Sequence, residues 1–255
     1  MRNIGGAAFV VGLAVLTTAC GKKGALIYPD MLIPAAPTAV VAQQSGAAVK
    51  LQFNLSDKDR AGRSLRGLAG VKISRKAAET AQKEYCRACM TDYRLFRTIY
   101  LDRLPLDTQR FGSRLIVRDG DVNPGTTYSY SLVPFTDDGV DGAASAIADV
   151  HVVPSLPAPV VKIESYPTEV KLEILSQPRM SCSLSGYNLY RSTVTGARLY
   201  LPLNSEPLKG SVYVDTSLER GVKYRYSVRE LVVLPEGVVE SAESQEVEGM
   251  LKDDE

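Results

Sequence analysis

The sequence predicts an all-β chain: two β-sandwiches in tandem, carried behind a short apolar leader and a tether. Three observations support this. The 13 Tyr outnumber the 5 Phe, Trp is absent, and β-branched residues are common, a composition that suits half-buried pleated surfaces. Short stretches alternate apolar and polar residues, as in VKLQF from Val49 to Phe53, the two-residue period of a strand with one face in a core. The chain also repeats itself, with blocks in its first half returning in the same order in its second. That is the mark of tandem units.

The leader comes first. Residues 1–19 place Arg2 ahead of an uncharged run from Ile4 to Leu16, then the small residues Thr17, Thr18 and Ala19. The run is shorter than the roughly 20 residues that span a bilayer core and has the layout of a secretory signal. Leu16 to Cys20 resembles a bacterial lipobox, in which the cysteine is acylated and becomes the mature N-terminus. The resemblance implies lipidation at Cys20 and a chain anchored to a membrane. Gly21 follows, where an Asp would imply inner-membrane retention, so the implied location is the outer membrane. Residues 20–33 then read as a flexible tether. Within it, CGKKGALIYP from Cys20 to Pro29 resembles the start of small lipoproteins associated with the lipopolysaccharide-export translocon. Gly, Lys and Pro beside an anchor also suit a plain headgroup-contacting linker.

Charge excludes one class of partner. The chain has 30 Lys and Arg against 29 Asp and Glu, so there is no basic footprint for nucleic acid.

The body falls into residues 34–153 and 154–249, with an acidic tail at 250–255. In the first unit Pro34 and Pro37 precede VKLQF, then GVKISR from Gly70 to Arg75. In the second, Pro154 and Pro157 precede VKLEI from Val170 to Ile174, then GYNLYR from Gly186 to Arg191. The third block is VNPGTTYSYSLVPF from Val122 to Phe135, which aligns with LERGVKYRYSVREL from Leu218 to Leu231. Gly125 matches Gly221, Tyr128 matches Tyr224 and Tyr130 matches Tyr226. Closing strands are expected to begin near Ser145 and Ser241. The units join at VVPSLPAPVV, Val152 to Val161, where three prolines stiffen the link. The expected shape is a semi-rigid rod.

The third block resembles the E–F corner of fibronectin type III domains, which are immunoglobulin-like sandwiches. The resemblance implies structural tyrosine corners at Tyr128 and Tyr224: Gly turns the chain, and the Tyr ring enters the core while its hydroxyl returns to nearby backbone. Val122 and Leu218, six residues earlier, would plug the end of each sandwich. The Trp usual in strand B of such domains is replaced by Phe53 and Ile174.

One insertion distinguishes the first unit, about 76–92, ahead of a strand in YRLFRTIYL (Tyr93 to Leu101). AAETAQKEY within it has helical propensity. It ends in Cys86-Arg-Ala-Cys89. In an exported chain this pair reads as a local disulfide, closing a loop too small for much entropic stabilisation. A thiol–disulfide oxidoreductase is the enzymatic alternative, but its usual βαβ setting is missing. Cys182 reads as a buried small hydrophobe. His151, the only His, reads as an edge residue. Asp137, Asp138 and Asp141 cluster in a predicted F–G loop; carboxylates are calcium ligands, but Asp-Gly is also ordinary turn chemistry and the spacing is not that of an EF-hand. No cofactor, resident metal or catalytic residue is expected. The functional expectation is a non-catalytic binding or spacer lipoprotein whose partner is an envelope protein or glycan.

Overall fold

The computed structural model describes residues 28–79, 89–176 and 183–253, and they build two β-sandwiches. The first contains β1 (Thr38–Ser45), β2 (Ala48–Asn54), β3 (Leu68–Glu79), β4 (Arg94–Tyr100), β5 (Thr108–Phe111), β6 (Arg114–Asp119), β7 (Thr126–Thr136) and β8 (Ala148–His151). One sheet runs β1-β2-β6-β5 and the other β4-β3-β7-β8. Alternation explains what lies between them. Val49, Leu51 and Phe53 of β2 and Leu115 and Val117 of β6 meet Val71 and Ile73 of β3, Ile99 of β4 and Tyr128, Tyr130 and Leu132 of β7. Each such side chain gains about 1.5–3 kcal/mol on burial.

The second sandwich contains β9 (Val160–Ser165), β10 (Val170–Leu175), β11 (Ser183–Thr193), β12 (Val212–Asp215), β13 (Tyr224–Leu234), β14 (Gly237–Glu240) and β15 (Val247–Gly249). Its β12-β10-β9 sheet faces β11, β13 and β15 across a core of Val170, Leu172 and Ile174 against Tyr187, Leu189, Tyr224, Tyr226 and Val228. Phe53 and Ile174, which stand in place of a strand-B Trp, both lie in their cores.

Four expectations need correction. Ala77, Ala78 and Glu79 are not helical but continue β3, pairing with Tyr128, Thr127 and Thr126 of β7. Helix propensity is worth only tenths of a kcal/mol per residue, and a growing ladder that also buries Ala78 outweighs it. The remainder of the insertion, 80–88, lies outside the described residues.

The closing strands begin at Ala148 and Val247, later than Ser145 and Ser241. At Ser145 and Ser241 only half of the ladder is present: their N–H groups donate to the Leu132 and Glu230 carbonyls at 2.8 and 2.9 Å, while the return bonds go to the serine hydroxyls, Ser145 Oγ accepting from the Leu132 N–H at 3.1 Å and Ser241 Oγ from the Glu230 N–H at 3.0 Å.

The tether is shorter than the sequence implied. The Met31 and Ile33 carbonyls accept from the Ala61 and Arg60 N–H groups, and the Ala35 N–H donates to the Lys58 carbonyl. The chain from Met31 onward is therefore fastened to the loop between β2 and β3.

The fourth correction concerns shape. The expected semi-rigid rod rested on the prolyl link alone, and the domains also meet through their sheets. β14 lies parallel to β1, with Ser45 paired to Glu240, so one sheet continues β11-β13-β14-β1-β2-β6-β5 across both domains. Ile116 stands between the core residues Leu115 and Val117, so it points away from its own core, yet it is fully buried. The second domain covers that outward face. Across the same boundary, Gln109 of β5 donates to the Arg198 carbonyl at 2.5 Å and accepts from the Tyr200 N–H at 2.7 Å. The linker is held too: Gln44, buried in β1, bonds both the N–H and the carbonyl of Val153.

Candidate binding site at the domain junction

Each sandwich is closed at one end by a tyrosine. Gly125 and Gly221 adopt φ of +81° and +75°, left-handed values that a side chain would strain. The turn returns the chain so that Tyr128 Oη accepts from the Asn123 N–H at 2.9 Å, and Tyr224 Oη from the Glu219 N–H at 3.2 Å. Both rings are buried, and Val122 and Leu218 pack against the respective cores.

Beside each corner lies a polar cluster that the sequence reading did not find. Arg75 donates to Asp119 Oδ2 at 2.7 Å, and Tyr130 Oη donates to the same oxygen at 2.8 Å. In the second domain Arg191 and Tyr226 converge on Asp215 Oδ2 at 2.7 and 2.9 Å. Each guanidinium also sits over the corner ring, 5.2 Å from the centroid of Tyr128 or Tyr224, a favourable cation–π placement. Burial, and then the neighbouring aspartate charge, push the Tyr130 and Tyr226 hydroxyls above the ordinary phenol range. These are structural buttresses in both domains. The signal was present: Arg ends both GVKISR and GYNLYR, and an Asp lies eleven residues before each second Tyr.

The junction holds a third cluster, present once. Glu240 is wholly buried at the end of β14. Its Oε1 accepts from Lys50 Nζ at 2.8 Å, Tyr190 Oη at 2.8 Å and Asn188 Nδ2 at 2.6 Å, and its Oε2 accepts from Ser45 Oγ at 2.5 Å. Its backbone carbonyl accepts from the Gly46 N–H at 3.0 Å. Burial alone would raise the carboxyl. The Lys50 charge and the Lys50, Ser45 and Asn188 hydrogen bonds outweigh it, so the group is held below the usual carboxylate range. Tyr190 is pushed up, first by burial and then by the Glu240 charge.

Against this cluster opens a cleft of about 210 Å³ shared by the two domains. Lys50 and Arg118 line it from the first domain; Tyr190, Arg198, Tyr200 and Arg229 line it from the second. Clefts at domain boundaries are preferred ligand sites.

The residues singled out in the sequence are placed as follows. Cys20, Cys86 and Cys182 lie outside the described residues. Cys89 is exposed and disulfide-bonded. His151 Nδ1 is 3.1 Å from Thr127 Oγ1 on the edge strand β8. Asp141 is paired with Lys72 at 2.6 Å, and Asp138 accepts from the Thr136 hydroxyl. Among the described residues no group of three or more His, Cys, Asp or Glu is arranged to hold a metal ion.

No protein-family model and no curated relative matches this chain. Among solved structures, the crystal structure of chicken CNTN1 FN1-FN3 domains is similar, with 16% identity over 87% of this chain and 66% of that one, at a TM-score of 0.32. In its own strand order and corner geometry the chain is an all-β protein of fibronectin type III-like sandwiches.

Proposed function

We propose that the chain is a lipid-anchored binding and spacing protein of the bacterial cell envelope, acting through its surfaces rather than by catalysis. The observation that carries this reading is the junction: the buried Lys50–Glu240 pair and the sheet continuing through β14 and β1 lock two binding-type domains into one platform. A fixed platform presents surfaces at a set distance and angle, as a spacer or docking subunit requires.

The anchor supplies the other half of the reading. No helix among the described residues is long and apolar enough to cross a membrane. With acylation at Cys20 and the chain fastened to the first domain from Met31 onward, the intervening residues reach at most about 40 Å, so the platform would stay within that distance of the outer-membrane surface. The disulfide at Cys89, for which Cys86 is the proposed partner, fits an oxidising compartment.

The test is direct. Labelled palmitate should enter the wild-type chain and not Cys20→Ala; incorporation that survives the substitution refutes the anchor. Crosslinking in intact cells should then capture an envelope protein or glycan. Replacing residues 20–29 with the start of another lipoprotein separates a passive tether, which tolerates the exchange, from a motif recruiting the chain to an assembly such as the lipopolysaccharide translocon.

A further inference from the structure

The ion pairs at the junction leave a charge imbalance in its cleft. Lys50 is matched by Glu240. Arg198, Arg225 and Arg229 share two carboxylates, Glu243 and Glu246. Arg118, exposed on the outward face of β6 at the cleft wall, has no ion pair among the described residues. Five cations therefore meet three carboxylates, a surplus of two positive charges.

A second observation points the same way. Arg225 Nε is shielded from solvent and has no hydrogen-bond partner among the described residues, an unfavourable state for a buried donor. Arg225 lines a space of about 10 Å³ that shares Tyr190, Arg198, Leu199 and Glu243 with the main cleft. The cationic surface thus runs inward from the cleft. Tyr190, Tyr200 and Leu199 add aromatic and apolar wall beside it. Drug-sized ligand sites occupy roughly 300–1,000 Å³, so this smaller cleft suits a compact anion with a small organic body.

We propose that the junction cleft binds a phosphomonoester group, with Arg118 and Arg198 holding its oxygens from the two domains and Tyr200 and Leu199 contacting the attached carbon skeleton. A phosphomonoester carries close to two negative charges at neutral pH, which matches the surplus. Arginine forks pair with its oxygens bidentately. Binding would tie the two domains further together, because the contacts come from both. The proposal stands on the junction alone and does not depend on the anchor.

The test uses the full-length chain carrying Cys20→Ala, so that no acyl chain inserts into lipid. Calorimetric titration with methyl phosphate at low salt is run beside flotation with phosphatidylcholine vesicles containing phosphatidic acid. Saturable binding to one or both probes is expected, weakened at least tenfold by Arg118→Ala and unchanged by Arg110→Ala, an exposed neighbour whose guanidinium bonds the Gly112 carbonyl. Arg118→Ala should keep the wild-type melting midpoint without phosphate. Arg118-dependent binding mainly to vesicles assigns the group to a lipid headgroup, and mainly to methyl phosphate assigns it to a soluble ester; both support the site. Equal weakening by the two variants, or no saturable binding of either probe, overturns it.

Discussion

Glu240→Gln tests the junction with the least change of shape. The amide keeps the carboxylate's outline and can still accept from Ser45 or Asn188, but it leaves Lys50 charged with only 13% of its side chain exposed. Removing one member of a buried pair costs about 3–5 kcal/mol. Lys50 retains some solvent and a 3.2 Å contact to Tyr190 Oη, so about 2–3 kcal/mol is expected here. At about 2–4 °C per kcal/mol for a chain of this size, the melting midpoint should fall by roughly 4–12 °C. Hydrogen exchange locates the loss: the Gly46 N–H, bonded to the Glu240 carbonyl, and the Ala242 N–H, bonded to the Leu156 carbonyl, should lose protection before the core amides of β7. A double-mutant cycle with Lys50→Met decides the cause. Because the penalty is an orphaned charge, the double variant should recover most of the stability lost in Glu240→Gln. Strictly additive effects, with junction protection unchanged, would refute the reasoning.

Other outcomes follow from the same geometry. Because the Glu240 carboxyl is lowered in the folded chain, its contribution is present above the ordinary value of about 4.3 and lost as pH falls through the lower folded value; exchange at Gly46 should rise in that acid window. Tyr130, Tyr190 and Tyr226 are raised instead, so their contribution is present below about pH 10 and lost as pH rises through the folded values; absorbance at 295 nm should show them ionising only as the chain unfolds. Asp119→Ala strands Tyr130 Oη and removes the Arg75 contact, and should cost about 3 kcal/mol in urea unfolding; a loss below 1 kcal/mol would show that the buttress is not structural. Gly70→Ala places a methyl carbon 2.1 Å from the Ile99 carbonyl oxygen, so β3 and β4 must separate, and a loss of more than 3 kcal/mol is expected by calorimetry.

What could be read from the sequence was local or repeated. VKLQF and VKLEI alternate because each residue's side follows from its neighbour's, and the paired GxxY corners stand out because Gly at positive φ and a core-filling Tyr tolerate few substitutes. The Arg75 and Arg191 buttresses belong to the same repeat, but their role is not local, since an isolated Arg at a strand end usually faces water. The helical reading of Ala77 to Glu79 failed because propensity is weak beside a ladder partner nearly 50 residues away.

The junction was decided only in three dimensions. Lys50 and Glu240 occupy outward or terminal strand positions that look solvated in one dimension, and 190 residues separate them. No local period records which outward face a second domain will cover. The sequence by itself fixed two cores and their corners, because burial on one side of a strand imposes a short-range pattern. Tertiary packing alone brought β14 against β1, buried Ile116 from the outside and gathered the cleft's cations, because the free energy of those contacts depends on pairs that the chain brings together only after both sandwiches have formed.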